Sequence, residues 1–222
     1  MASFLIGVTL SYQAIPPTSS FYQRLQHEQT LNILMVSLFP QGNGIFRFFD
    51  VDPLFPGDSI RSINNDLEGV IKRHHEIFGS ELEASLAVAE YRSELILTCQ
   101  AYPGIEDRRT SMEKTFDEIR EWLSRELSRI DSIDGDEIIG RIMFGDRTFA
   151  PDMLTGKEES LYLISRETVS EGANILRQID PVAMLEIKDD DWDEYLLENL
   201  VEWKDFCLEA DEKGEEILIG VL

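Results

Sequence analysis

The chain has 222 residues, of which 43 are acidic and 20 are basic, so its formal net charge at pH 7 is −23. This surplus excludes ordinary electrostatic attraction to nucleic acid or to an anionic membrane, because neutralising phosphates requires clustered Lys and Arg. Hydrophobic residues make up 43% of the sequence, which is enough for a core and excludes a wholly disordered acidic chain. We expect a single domain over 1–222, with 30–104 as a candidate inserted or extended subregion.

Cysteine usage and the uncharged N-terminus favour a cytoplasmic protein. Cys99 and Cys207 lie far apart and follow no ligand spacing, which predicts two reduced thiols. Residues 1–23 carry no charged side chain. Their apolar run 4–10 is too short to cross a bilayer and has no basic segment before it, so we expect neither a signal peptide nor a membrane span.

In chain order, the first predicted element is a buried strand over the apolar run Phe4–Leu10, in a segment closed by Pro16. Next, the hydroxyl-rich segment Thr18–Ser20 predicts the N-cap of a short helix that continues to about Gln26. The segment therefore predicts a strand followed by a short capped helix.

The region from residue 30 to residue 104 is harder to assign. Asn43-Gly44 between two apolar runs favours a β-hairpin, with a helix over 30–39 as the alternative. Helical segments are predicted over 65–78 and 81–92, and the composition of 94–101 is typical of a strand.

An amphipathic helix is predicted to open at Ser111–Lys114. Its apolar side chains recur every three or four residues, which keeps one helix face toward a core. They are Met112, Phe116, Ile119, Leu123 and Leu127. Gly135 and Gly140 then interrupt the pattern.

The C-terminal third predicts a strand over 161–164, a helix capped by Ser165 that Pro181 terminates, and a long acidic helix. Gly214 occupies the left-handed position that ends this last helix, and a strand over 217–222 follows. The long helix carries an apolar stripe at Trp192, Leu196, Leu200, Trp203, Cys207 and Ala210. These elements predict an α/β or α+β fold, with a mixed sheet flanked by amphipathic helices, ending in the acidic helix and the C-terminal strand.

Parts of the chain resemble the YfbM-like family of bacterial domains of unknown function. The stretches that carry the resemblance are Tyr195-Leu196-Leu197, Trp203-Lys204-Asp205-Phe206, Ile217-Leu218-Ile219, Leu161-Tyr162-Leu163, Ile179-Asp180 and, more weakly, Ser111–Leu123. The chain departs from the family in having Phe116 in place of a Trp, in lacking a nearby His, and in the additional 30–104. The resemblance covers 105–222 and the first strand, and it implies a fold rather than a chemistry.

The sequence lacks the common motifs of catalysis, phosphate binding and metal binding. It has neither a G-x-S-x-G elbow nor a G-x-x-x-x-G-K-[ST] phosphate loop. His74 and His75 are adjacent, so on a helix they point about 100° apart and do not chelate one ion. The fragment Asp131–Glu137 lacks the ligand order of a calcium-binding EF-hand loop. We therefore predict no catalytic residue, no cofactor and no metal site.

Negative charge is concentrated near the C-terminus. Residues 186–216 hold 14 acidic side chains and three lysines. A solvated helix face explains many such runs, but the concentration also favours a docking face for a cationic protein partner. The predicted partner-binding residues are Asp189, Asp190, Asp191, Asp193, Glu194, Glu198, Glu202 and Asp205.

Together these observations predict a non-enzymatic acidic binding protein, specifically an immunity protein that neutralises a cognate bacterial toxin or effector domain. We expect neither nucleic acid nor a membrane as its partner. Three alternatives remain open: an intracellular YfbM-like domain that binds a small molecule, an enzyme that uses paired carboxylates, and a DNA mimic. Two buried, closely spaced acids with separated pKa values would favour the enzyme.

Overall fold

The computed structural model describes residues 9–28, 80, 83, 86, 90, 93–94, 97–98, 100–113, 115–129, 135–149, 161–185 and 191–221. They belong to two compact units. The first unit takes its residues from Met1–Pro16, Arg109–Thr148 and Tyr162–Val221, and the second from Pro17–Arg108 and Phe149–Leu161. The predicted subregion 30–104 lies within the span of the second unit, and the single-domain assignment stays a prediction.

A sheet organises the first unit. Its strands, within the described residues, are β1 (Thr9–Ile15), β2 (Arg109–Glu113), β3 (Arg147–Phe149), β4 (Leu161–Ile164) and β5 (Glu216–Val221). Their spatial order is β2-β1-β5-β4-β3. β1 pairs antiparallel with both neighbours, so that Tyr12 lies opposite Thr110 on β2 and Ile219 on β5. The described side chains of β1 are buried, including Gln13. Since successive side chains of a strand point to opposite faces, both faces of the sheet are covered at β1.

The α-helices whose two ends lie within the described residues are α1 (Ser20–His27), α2 (Phe116–Arg129), α3 (Gly135–Phe144), α4 (Arg166–Leu176) and α5 (Asp191–Lys213). Ser19 caps α1 and Ser165 caps α4, each by accepting a backbone N–H bond on its side chain. Gly214 ends α5 at φ +66°, where its N–H bonds to Asp211 and that of Glu215 bonds to Ala210. This Schellman closure satisfies the last carbonyls and requires the left-handed conformation that glycine adopts without strain.

Helix faces and the sheet enclose the core of the first unit. The aromatic rings of Trp203 and Phe206 each lie 6.4 Å from that of Tyr12, centroid to centroid, and the Tyr12 hydroxyl donates to the Met143 carbonyl at 3.0 Å. The pKa of Tyr12 is raised because burial disfavours its phenolate. Two helix stripes complete this core: Phe116, Ile119, Leu123 and Leu127 of α2, and Leu196, Leu200, Trp203, Cys207 and Ala210 of α5.

Helices α3 and α4 approach closely at a glycine. A Cβ atom at Gly172 would overlap the Cδ1 methyl of Ile142 and lie 3.2 Å from that residue's Cβ and Cγ1. Both residues are buried. Because Gly172 has no side chain, Ile142 can pack directly against the backbone of α4, and the two helices lie close together.

The second unit contains α1 and an ion-pair network centred on Arg24. Its guanidinium bonds to Glu28 at 2.6 Å and reaches Glu90 at 3.1 Å and Glu94 at 3.3 Å. Glu94 also accepts a 2.6 Å bond from the Ser20 hydroxyl. The hydrogen bond from Arg24 lowers the pKa of Glu28. Because Arg24 also pairs with Glu90 and Glu94, the network connects α1 to these two helical residues.

The predicted fold class is confirmed in its α+β form, with amphipathic helices beside a sheet and a long acidic helix followed by the C-terminal strand. Three local expectations differ from the structure. The first strand, Thr9–Ile15, shares residues 9–10 with the predicted 4–10 but continues to Ile15, and residues 4–8 lie outside the described residues. Residues 109–113 form β2, so the amphipathic helix begins at Phe116 rather than Ser111. The described residues within 94–101 are helical, not strand-like. The Asn43-Gly44 turn and the helix over 65–78 lie outside the described residues.

Candidate functional site

The candidate site is the solvent-facing side of α5, and its position follows from helix geometry. The buried stripe of α5 recurs at intervals of three and four residues, and a second series, offset by about half a turn, lies on the opposite side. Every member of that second series is acidic and exposed. It consists of Glu194, Glu198, Glu202, Asp205, Glu209 and Glu212, which we call the acidic face.

The acidic face is long, and several of its residues have no cationic partner among the residues that the structure describes. At a rise of 1.5 Å per residue, it extends about 27 Å from Glu194 to Glu212. No cation among the described residues pairs with Glu194, Glu198 or Asp205. Within the described part of the chain, nothing offsets the negative charge of these three exposed side chains.

Other acidic residues of α5 have local partners. Glu202 accepts a 3.0 Å hydrogen bond from the Thr110 hydroxyl of β2. Glu209 pairs with Lys213 one turn later, and Asp211, at the edge of the acidic face, bonds to Arg177 at 2.7 Å. Judged by the described residues, the acids without a cationic partner therefore lie mainly in the central and N-terminal parts of the face.

The predicted partner-binding residues fall into three groups. Asp189 and Asp190 lie outside the described residues. Asp191 and Asp193 lie in the first turn of α5. The remaining four are exposed, and they are Glu194, Glu198, Glu202 and Asp205. Glu209 and Glu212 extend the same row beyond the predicted set, and their spacing of three and four residues was the signal that could have included them.

A second cluster of polar side chains lies at the N-terminus of α4. Asp146, just before β3, accepts hydrogen bonds from the backbone N–H of Ser165 at 3.0 Å and from the hydroxyls of Ser165 and Thr168. Partial burial raises the pKa of Asp146, but the three hydrogen bonds outweigh it and leave the pKa below its ordinary value. No local pattern in the sequence indicates this cluster, because 19 residues separate Asp146 from Ser165.

Glu216 reaches the same helix end from β5. Its carboxylate lies 3.5 Å from the backbone nitrogen of Arg166, and the residue is 9% exposed. Burial raises the pKa of Glu216 above its ordinary value. Asp146 and Glu216 thus have pKa values shifted in opposite directions at one helix terminus.

Opposite shifts are also found in catalytic acid–base pairs, but hydrogen bonding favours a structural role for Asp146. A general base needs a free lone pair directed at a substrate proton. Asp146 instead directs its oxygens to the N–H and hydroxyl groups that start α4. The cluster therefore acts as a helix cap that joins α4 to the sheet.

The remaining chemical groups give little support for metal or thiol chemistry. Within the described residues, no group of three or more His, Cys, Asp or Glu side chains could hold a metal ion. Burial raises the pKa of Cys207, which is fully enclosed on the inner stripe of α5. Since the thiolate is the reactive form, this thiol is unreactive in the folded protein. Cys99, His74 and His75 lie outside the described residues.

Comparisons with known proteins identify no relative. No protein-family model, no curated protein and no solved structure matches the chain. The resemblance to the YfbM-like family therefore stays a prediction. A search of the described helices for a long apolar segment finds none that could span a membrane.

Proposed function

We propose that this protein is a non-enzymatic binding protein that docks a cationic protein partner on the acidic face of α5. The observation that carries the proposal is the row of six exposed carboxylate residues, from Glu194 to Glu212, on the side of the helix opposite its buried stripe. Burial of the inner stripe fixes the orientation of the helix. The same contacts hold the carboxylates toward solvent, where an approaching protein meets them.

The energetic cost of this row supports a binding role. Glu194, Glu198 and Glu202 follow one another at i,i+4 spacing, and like charges at that spacing destabilise a helix by about 0.2–0.5 kcal/mol per pair. The described residues place no cation beside Glu194 or Glu198 to offset it. A cationic partner would remove this repulsion when it binds.

The same charges would accelerate association. A surface of one sign attracts an oppositely charged partner over roughly a Debye length, about 8–10 Å at physiological salt. Steered association reaches about 10⁸–10⁹ M⁻¹s⁻¹ at low ionic strength. Fast capture is most useful when the partner causes damage until it is bound.

This requirement motivates the specific form of the proposal, in which the protein is a cytoplasmic immunity protein and its partner is a basic toxin or effector domain. An inhibitor of this kind blocks its target by contact and needs no catalytic group or cofactor of its own. The gene next to the one for this chain should then encode a large secreted protein with a basic C-terminal domain.

The test uses that purified C-terminal domain as the probe and the full chain as the binding protein. Association and dissociation rates are measured by surface plasmon resonance at 25 and 150 mM NaCl. The variant carries Glu194→Lys, Glu198→Lys and Asp205→Lys, three exposed acids without a partner among the described residues. We expect its association rate at 25 mM NaCl to fall at least tenfold and to depend much less on salt.

A matched control carries Asp117→Lys, Glu137→Lys and Glu167→Lys. These residues are also exposed, but they lie on α2, α3 and α4, so the net charge changes equally. Circular dichroism verifies that both variants are folded. Equal association rates for the two variants would contradict the acidic-face proposal, whereas binding with no inhibition of the toxin domain would contradict only the immunity role.

A further inference from the structure

We draw no further inference here: the strongest candidate, the exposed apolar side chains of Val182 in the short 3₁₀ helix before α5 and of Tyr195 on α5, carries none because nothing in the described part of the structure shows what covers them.

Discussion

Asp146 and Glu216 meet the N-terminus of α4 at adjacent backbone nitrogens, those of Ser165 and Arg166. One carboxylate comes from the segment before β3 and the other from the start of β5, so together they connect α4 to two strands of the sheet. Their pKa values move apart, downward for Asp146 and upward for Glu216. Two acids at one helix end should therefore give opposite contributions to the pH dependence of stability.

Replacing Asp146 with Asn should destabilise the protein. The substitution removes a charged acceptor from the Ser165 and Thr168 hydroxyls, and we expect the free energy of unfolding at pH 7 to fall by about 1–3 kcal/mol. Because folding lowers the pKa of Asp146, its contribution is present above the unfolded pKa and is lost as the pH falls through the folded value. Urea unfolding from pH 7 to pH 3 measures both effects.

The Asp205→Asn variant provides the control, since Asp205 is exposed on α5 and undergoes the same chemical change. Neutralising it relieves repulsion with Glu202 and Glu209, so its unfolding free energy should equal that of the wild type or exceed it by a few tenths of a kcal/mol. An Asp146→Asn variant that is as stable as the wild type at pH 7 would show that this cap contributes little to the free energy of unfolding.

Replacing Glu216 with Gln should have the opposite pH profile. Burial raises the pKa of Glu216 in the folded protein. The contribution of the protonated side chain to the free energy of unfolding is therefore fully present below the pKa of the unfolded chain, and it is lost as the pH rises through the pKa of the folded protein. Glutamine does not ionise and keeps an acceptor oxygen for the N–H of Arg166. We expect the variant to be more stable than wild type at pH 7, with no difference below about pH 4. Thermal unfolding of the variant and the wild type between about pH 4 and pH 7 tests this expectation. A stability difference between the two proteins that grows toward low pH would contradict the prediction.

Adding a methyl group at Gly172 should be costly. The new Cβ would overlap Ile142, a buried side chain of α3, and overpacking of this kind costs about 1–3 kcal/mol. Chemical denaturation of the Gly172→Ala variant measures the loss. Shortening the neighbour in a Gly172→Ala/Ile142→Val double variant should recover part of it.

Gly140→Ala is the matched control because Gly140 is also helical, and among the described residues a Cβ there would meet only the Arg120 guanidinium, at 3.9 Å. Without a clash, this change should stabilise the protein by about 0.5–1 kcal/mol, since alanine loses less backbone entropy in a helix than glycine does. Equal effects of the two substitutions would mean that α3 and α4 are not in close contact at Gly172.

Two glutamates of the acidic face should respond differently to alanine. Glu198→Ala removes repulsion with Glu194 and Glu202 and should raise the free energy of unfolding by about 0.4–1 kcal/mol. Glu202→Ala also relieves the repulsion with Glu198, but it leaves the buried Thr110 hydroxyl without its acceptor. That loss is on the order of 1 kcal/mol, so the variant should be less stable than Glu198→Ala. Urea unfolding measures both variants. At 1 M NaCl the gain from Glu198→Ala should shrink because salt screens the repulsion, and a gain that is independent of salt would argue against charge repulsion as its cause.

Elements with local signals could be predicted from the sequence. Ser19 and Ser165 cap helices as their hydroxyls and positions indicated. In α2, the residues from Phe116 to Leu127 were correctly assigned to one buried face, although the helix begins later than predicted. At 94–101 the strand-like composition was misleading, since the described residues there are helical and Glu94 joins the ion-pair network of Arg24. Composition alone is a weak guide because β-propensity depends strongly on context.

By itself, the sequence determined the two sides of α5 and its end, because residues three and four positions apart share a helix face and glycine adopts a left-handed conformation without strain. Only the tertiary structure decided that 109–113 is a strand, since those residues gain their backbone partners from β1. It also decided that Asp146 caps α4 and that Ile142 fills the space over Gly172. The spacing of apolar and acidic residues along the sequence reflects the geometry of a single helix. Contacts between distant segments, by contrast, form only when the chain folds around a common core.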